Sequence, residues 1–243
     1  MSGATLRVFP HNHLEKLESL LQSSTTKADA NSRILVITES IFSMDGDAAP
    51  LEEISRLTKQ YGCLLMVDEA HALGLIGPTG MGLAEELGIQ DQIDFHMGTL
   101  GKAAGVAGGY LATSRVWAEL MINRARSFIY STAPPPAQAA AAAEALRIIQ
   151  NEQGQRLRTQ LWNNIDTFRA ASEMTSHCQS AIIPWMVGDS DKALKLSSQL
   201  RDKGFLVPAI RYPTVSRQTA RLRITMSSCH DTESIQALAS CLQ

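Results

Sequence analysis

Hydrophobic and polar positions alternate along the first 113 residues in two distinct rhythms. Leu14, Leu17, Leu20 and Leu21 recur at helical spacing, which predicts a helix over "NHLEKLESLL", with Asn12 as N-cap and Glu15 three residues on. "RILVITES" (33–40) is a short β-branched run and predicts a buried strand. "APLEEISRLTKQYG" (49–62) predicts a helix, with Pro50 near its first turn and Gly62 at its end. "CLLMVDEA" (63–70), "DFHMGT" (94–99) and "GGYLAT" (108–113) predict three more strands. Strand, helix, strand at this interval points to a mostly parallel α/β sheet.

The rhythm changes at Ser114. "SRVWAELMINRARSFIY" (114–130) and "PPPAQAAAAAEALRIIQ" (134–150) predict helices, the prolines of the second confined to its start. A helix from Gln155 to about Met174, a strand "AIIPWMVG" (181–188) and a helix Asp191–Lys203 follow. "FLVPAIRYPTV" (205–215), a strand "RLRITMS" (221–227) and a last helix complete the chain. This α+β pattern predicts a large domain over 1–154 and a small domain over 155–243. No repeat is present, and the longest irregular polar tract is the linker "QSSTTKADANS".

Composition narrows the classes. Apolar residues make up 44% of the 243 residues and charged residues 19%, ample for a core. The formal net charge is -2, and the densest basic run has three arginines, Arg217, Arg221 and Arg223. That is a poor footprint for gripping a phosphate backbone, so no nucleic-acid partner is expected. Cys63, Cys178, Cys229 and Cys241 are far apart, which predicts neither a disulfide framework nor a metal site. No stretch has the length of a membrane span and no secretory leader precedes the first helix, so the expected setting is cytoplasmic.

In an open parallel sheet, ligands bind beyond the carboxyl ends of the strands. Three polar loops fall there: "ESIFSMDGD" with Ser43, "DEAHALGLIG" with Asp68 and His71, and "GTLGKAAGVAGG" with Thr99 and Lys102. Asp68 to His71 spells the DEAH box of nucleic-acid-dependent ATPases. That chemistry needs a G-x-x-x-x-G-K-[ST] phosphate loop, and here Lys102 is followed by Ala103 and lies after the box. A lysine in a glycine-rich turn, downstream of a strand-ending acid and histidine, suits pyridoxal phosphate instead. That cofactor takes a lysine for its aldehyde and an acid for its pyridine nitrogen, while Thr99, Gly98 and Gly101 can face a phosphate.

"TESIFSMDGDAAPL", "LLMVDEAHALGLIG", "GTLGKAAGVAGGY", "IYSTAPPPAQ" and "VPAIRYPTVSRQTARLRIT" resemble the α-oxoamine synthases, within the aspartate-aminotransferase-like fold type of pyridoxal-phosphate enzymes. The resemblance implies condensation of an amino acid with an acyl-CoA or acyl carrier protein thioester, with loss of CO₂, in a homodimer. It implies that Lys102 is the Schiff-base lysine and α-proton base, Asp68 the partner of the pyridinium nitrogen, and His71 and Ser43 contacts on the ring-oxygen side. Thr99 would bind the phosphate, Ser131 and Thr132 the phosphate of the partner subunit's cofactor, and Arg223 and Thr214 the substrate. The fold class it implies is an incomplete large domain plus a small C-terminal α+β domain. In this family a phosphate loop and a ring-stacking histidine precede the matched segments. "MSGATLRVFPHNHLEKLE" thus resembles a family interior, and an exposed sheet edge and apolar surface are expected.

Other polar residues have plainer readings. His11, Asn12 and His13 suit helix capping, His96 lies within an apolar strand, and Arg221 suggests a solvated ion pair beside Arg223. Glu69 and Ala70 have no assigned chemistry.

Overall fold

The computed structural model describes residues 3–27, 29, 32–175 and 177–243. Helix α1 (Leu14–Lys27) precedes β1 (Leu35–Glu39), α2 (Leu51–Gln60) and β2 (Leu64–Asp68). A short helix α3 (Leu83–Glu86), β3 (Phe95–Thr99) and β4 (Gly109–Thr113) follow. These strands form one sheet in the order β1-β2-β3-β4, with the first three parallel and β4 antiparallel to β3. Glu39 lies opposite Asp68, and Asp68 opposite Met97, so the chemistry-bearing carboxyl ends are level.

One sheet face is well covered. Val36, Leu65 and Val67 are buried against Leu17 and Leu21 of α1 and Leu51, Ile54 and Leu57 of α2. A parallel sheet is normally covered on both faces. Here Leu35 and Ile37, on the opposite face of edge strand β1, are 44% and 58% exposed.

Helices α4 (Arg115–Arg124), α5 (Arg126–Ile129) and α6 (Pro136–Gln150) lead to the second unit. That unit comprises α7 (Glu152–Ala171), β5 (Ile182–Gly188), α8 (Ser190–Asp202), β6 (Ala209–Ile210), β7 (Ala220–Thr225) and α9 (Thr232–Ser240). Its antiparallel sheet, order β5-β7-β6, packs with α7, α8 and α9 around Ile165, Phe168, Ile183, Leu200, Leu222 and Ile235. Side-chain caps start three of these helices: Asn151 accepts from Gln153 and Gly154 amides, Asp189 from Lys192 and Asp231 from Ser234.

Several expectations shift. The helix expected over 114–130 breaks at Ala125, whose extended ψ of 100° separates α4 from α5. The helix expected from Gln155 begins at Glu152, because Asn151 caps it. The linker's first half is helical through Lys27, and its residues 28, 30 and 31 lie outside the described residues, as does Met1. Asn12 is no N-cap. It adopts φ 53° and donates to Asp47 Oδ2 at 3.1 Å and the Ala48 carbonyl at 3.2 Å. The first turn of α1 is capped instead by His13 Nδ1, which accepts from the Lys16 amide at 3.2 Å. Among the described residues no helix is long and apolar enough to cross a membrane.

Candidate active site

The carboxyl end of β2 divides its four polar letters between two tasks. Asp68 Oδ1 accepts from the Ala70 amide at 2.8 Å, which turns the chain out of the strand. Glu69 points the other way and is 2% exposed. Its carboxylate accepts from the Leu83 and Ala84 amides at 3.1 and 2.9 Å, at the start of α3. An anion at a helix start meets unpaired N–H groups and the positive end of the peptide dipoles. Glu69 therefore folds the protein, while Asp68 and His71 remain on the loop toward Lys102.

Lys102 Nζ lies 2.8 Å from His71 Nε2. Partial burial lowers the pKa of His71 to about 4, helped by the Lys102 and Arg223 charges and opposed by Asp68. Its ring is neutral at pH 7. Partial burial also lowers the pKa of Lys102, with Arg223 adding to the fall while Asp68 and Glu39 oppose it. A neutral imidazole beside an amine of lowered pKa suits nucleophilic and proton-transfer work.

These groups share a cleft of about 890 Å³ between the two units, lined by Ser43, His71, Lys102 and Arg223 and walled by apolar residues such as Leu73 and Ile149. Arg223 reaches it from β7. Its Nε donates to the Ser43 carbonyl at 2.6 Å and its Nη1 to Thr225 Oγ1 at 2.9 Å. Arg221, two residues back, is 6% exposed and pairs with the Asp45 carboxylate. The expected ion pair exists, but it is buried on the arginine side rather than solvated.

The remaining candidates are distributed unevenly. Thr99 ends β3, and its hydroxyl donates to the Gly108 carbonyl at 3.2 Å and accepts from the Gly101 amide at 3.3 Å. Ser131 and Thr132 are exposed and lie outside the cleft, and Ser131 Oγ donates to the Ser127 carbonyl. Thr214 is exposed in the turn after Tyr212-Pro213 and does not line the cleft either. His96 Nε2 contacts the Gln90 carbonyl at 3.0 Å, a local structural tie. His11, Asp45 and Asp47 approach within 4.8 Å of one another. Arg221 pairs with Asp45, and His11 Nε2 lies 2.7 Å from Asp47 Oδ2, so these carboxylates are already engaged within the protein.

Sequence reasoning passed over Glu39. Its carboxylate accepts from the Ser43 amide at 3.0 Å and bears on Lys102. The available signal was position: an acid ending β1, in register with Asp68.

Residues 1–242 match the family described as aminotransferase class I and II. The chain belongs to that family. The 8-amino-7-oxononanoate synthase of Citrifermentans bemidjiense is 41% identical over 247 residues, an alignment covering 100% of this chain and 62% of that protein. Among solved structures, serine palmitoyltransferase from S. paucimobilis with bound PLP-myriocin superposes with TM-score 0.87 at 30% identity, covering 96% of this chain and 58% of that one. An 8-amino-7-oxononanoate synthase from Francisella tularensis gives TM-score 0.80 at 28% identity, covering 98% and 68%. The α/β architecture is thus that of the family. The chain spans about 60% of the length of the curated relatives it matches.

Proposed function

We propose that this chain carries the catalytic lysine and substrate arginine of a pyridoxal-phosphate-dependent C-acyltransferase. The proposed reaction joins L-alanine to a pimeloyl thioester, of CoA or acyl carrier protein, and releases CO₂ to give 8-amino-7-oxononanoate for biotin synthesis. The observation that carries this reading is the Lys102–His71 contact of 2.8 Å in a cleft that Arg223 also lines. The names of the relatives support the choice of substrates.

The residues fit the cofactor's aldehyde and ring. Lys102 offers an amine whose pKa partial burial lowers, positioned to bond the aldehyde and later to take the α-proton. Bound pyridoxal phosphate supplies an electron sink for the α-carbanion. Asp68 would hold the ring nitrogen's proton. Neutral His71, with Ser43, would hydrogen-bond the ring oxygen without adding positive charge. Arg223 would receive the amino-acid carboxylate in a charge-assisted contact, with Thr214 approaching from its turn. On the phosphate side the fit is partial: Thr99 sits in the glycine-rich turn, whereas Ser131 and Thr132 would serve a partner subunit's cofactor in a homodimer. We divide the chain into a cofactor domain (1–154) and a small domain (155–243), and place it in the cytoplasm, where four unpaired cysteines are at home.

A second reading is that the chain alone is inactive and needs a complementing polypeptide. The exposed Leu35 and Ile37 on the edge strand favour it. The test loads the purified chain with pyridoxal phosphate, records the visible absorbance, then adds L-alanine and pimeloyl thioester and measures CO₂. Lys102→Ala should abolish the absorbance and the CO₂. Visible absorbance that survives in that variant sinks the lysine assignment, and absorbance without CO₂ favours the second reading.

A further inference from the structure

The turn 43–47, "SMDGD", is fastened along its whole length. Arg223 Nε donates to the Ser43 carbonyl at 2.6 Å, and Arg221 Nη1 reaches the Met44 carbonyl at 3.4 Å and the Asp45 carboxylate. The Gly46 carbonyl accepts from Ser180 Oγ at 2.8 Å, and Ser180 is 1% exposed. Gly46 itself has φ +70°, and a Cβ there would collide with the Ile182 carbonyl of β5. Asp47 Oδ2 accepts from Asn12 Nδ2 at 3.1 Å and contacts His11 Nε2 at 2.7 Å.

Arg221 and Arg223 are two apart on β7 and so share a face of the strand. The first grips the turn's carboxylate; the second rests its Nε on the turn's first carbonyl. With Nη1 on Thr225, Arg223 keeps Nη2 without a protein partner among the described residues. The direction in which that group points depends on where the Ser43 carbonyl sits. Recognition of a carboxylate by a guanidinium is sharply directional, so a small displacement of the anchor carries a large penalty.

We propose that Asp45 and Arg221 are positioning residues that fix the 43–47 turn against β7, so that the Ser43 carbonyl aims Arg223 at the carboxylate of an amino-acid substrate. This rests on the cofactor-lysine reading above. Neither residue lines the cleft that Arg223 lines; they act through Arg223.

The test titrates the pyridoxal-phosphate-loaded full chain with L-alanine and, separately, with ethylamine, which has the amine but no carboxylate, following the visible spectrum. Asp45→Asn and Arg221→Lys should each weaken L-alanine binding about tenfold or more. Ethylamine and cofactor affinities should stay within about twofold, as for a site uncoupled from the change. Asp45→Glu should recover part of the L-alanine affinity. Equal weakening toward both amines, or none toward either, overturns the proposal, and Arg221→Lys decides where Asp45→Asn folds poorly. If the wild-type chain shows no visible absorbance with cofactor, the function reading falls by itself. The clamp is then read in the cofactor-free chain from amide exchange at Phe42 and Gly46, whose bonds close the turn. Exchange should be about tenfold faster in Asp45→Asn, a factor equal to about 1.4 kcal/mol of lost protection, and unchanged exchange overturns the proposal.

Discussion

Helix α7 and the α4–α5 pair both carry large apolar residues, yet these meet opposite surroundings. In α7, Leu161, Ile165 and Phe168 are all buried in the core shared with β5 and β7. In α4 and α5, Val116 is 75% exposed, Ile122 55% and Phe128 62%. Trp117 of α4 packs on Phe95, but these three side chains stay largely in solvent, and exposed apolar surface of that kind is typical of interaction sites. The C-terminal unit therefore has a finished core of its own. The sheet unit has one finished face and one open face, on which Leu35 and Ile37 lie.

The sharpest way to break this contrast is a pair of truncations. Phe168→Ala should cost about 3–5 kcal/mol, because a fully buried ring is replaced by a cavity; urea unfolding followed by circular dichroism measures it. Glu69→Ala should cost about 2–3 kcal/mol, since two amides at the start of α3 lose an ionised acceptor in a buried setting. A loss below about 0.5 kcal/mol in the same assay, the size of an ordinary surface change, would mean that solvent already serves those amides.

The cleft supplies a pH test. His71 takes a proton at about 4 in the fold but near 6.5 when unfolded. Between those values the unfolded chain binds the extra proton, so His71's contribution to stability is present above pH 6.5 and is lost as pH falls toward 4. Unfolding midpoints of the wild type and of His71→Asn over that range should converge as the pH drops. Parallel curves would place His71 in open water. Phe128→Ser should be the mildest change, within about 0.5 kcal/mol, while reducing fluorescence from a surface-binding apolar dye. A loss as large as that of Phe168→Ala would show that α5 is packed against another chain in solution.

The strand–helix rhythm, the strand-end loops and the meeting of Lys102 with His71 were legible from residue types and spacing, because each rests on local periodicity or on a motif, whereas Arg223 was reached only through the family pattern. Long-range partners were not legible. Asn12 has the residue type of a cap, but its amide is drawn to Asp47, 35 residues on. Glu69 sits beside Asp68 and resembles it chemically, yet strand alternation sends it to the opposite face and into the start of α3. Asn151 moved a helix start by three residues because its side chain could serve two amides at once. Ser131, Thr132 and Thr214 could be nominated only through a family pattern, and this fold leaves them outside the cleft of their own chain.

Lys102 has a consequence outside any enzymatic cycle. An amine kept from holding its proton tightly is a better nucleophile near neutrality than an ammonium bathed in water. With its lowered pKa and its 2.8 Å contact to His71 Nε2, Lys102 should react with aldehydes, cyanate and activated esters more readily than an ordinary lysine. The same chemistry that would let this side chain capture a cofactor would make it a target of carbonyl stress and a handle for labelling.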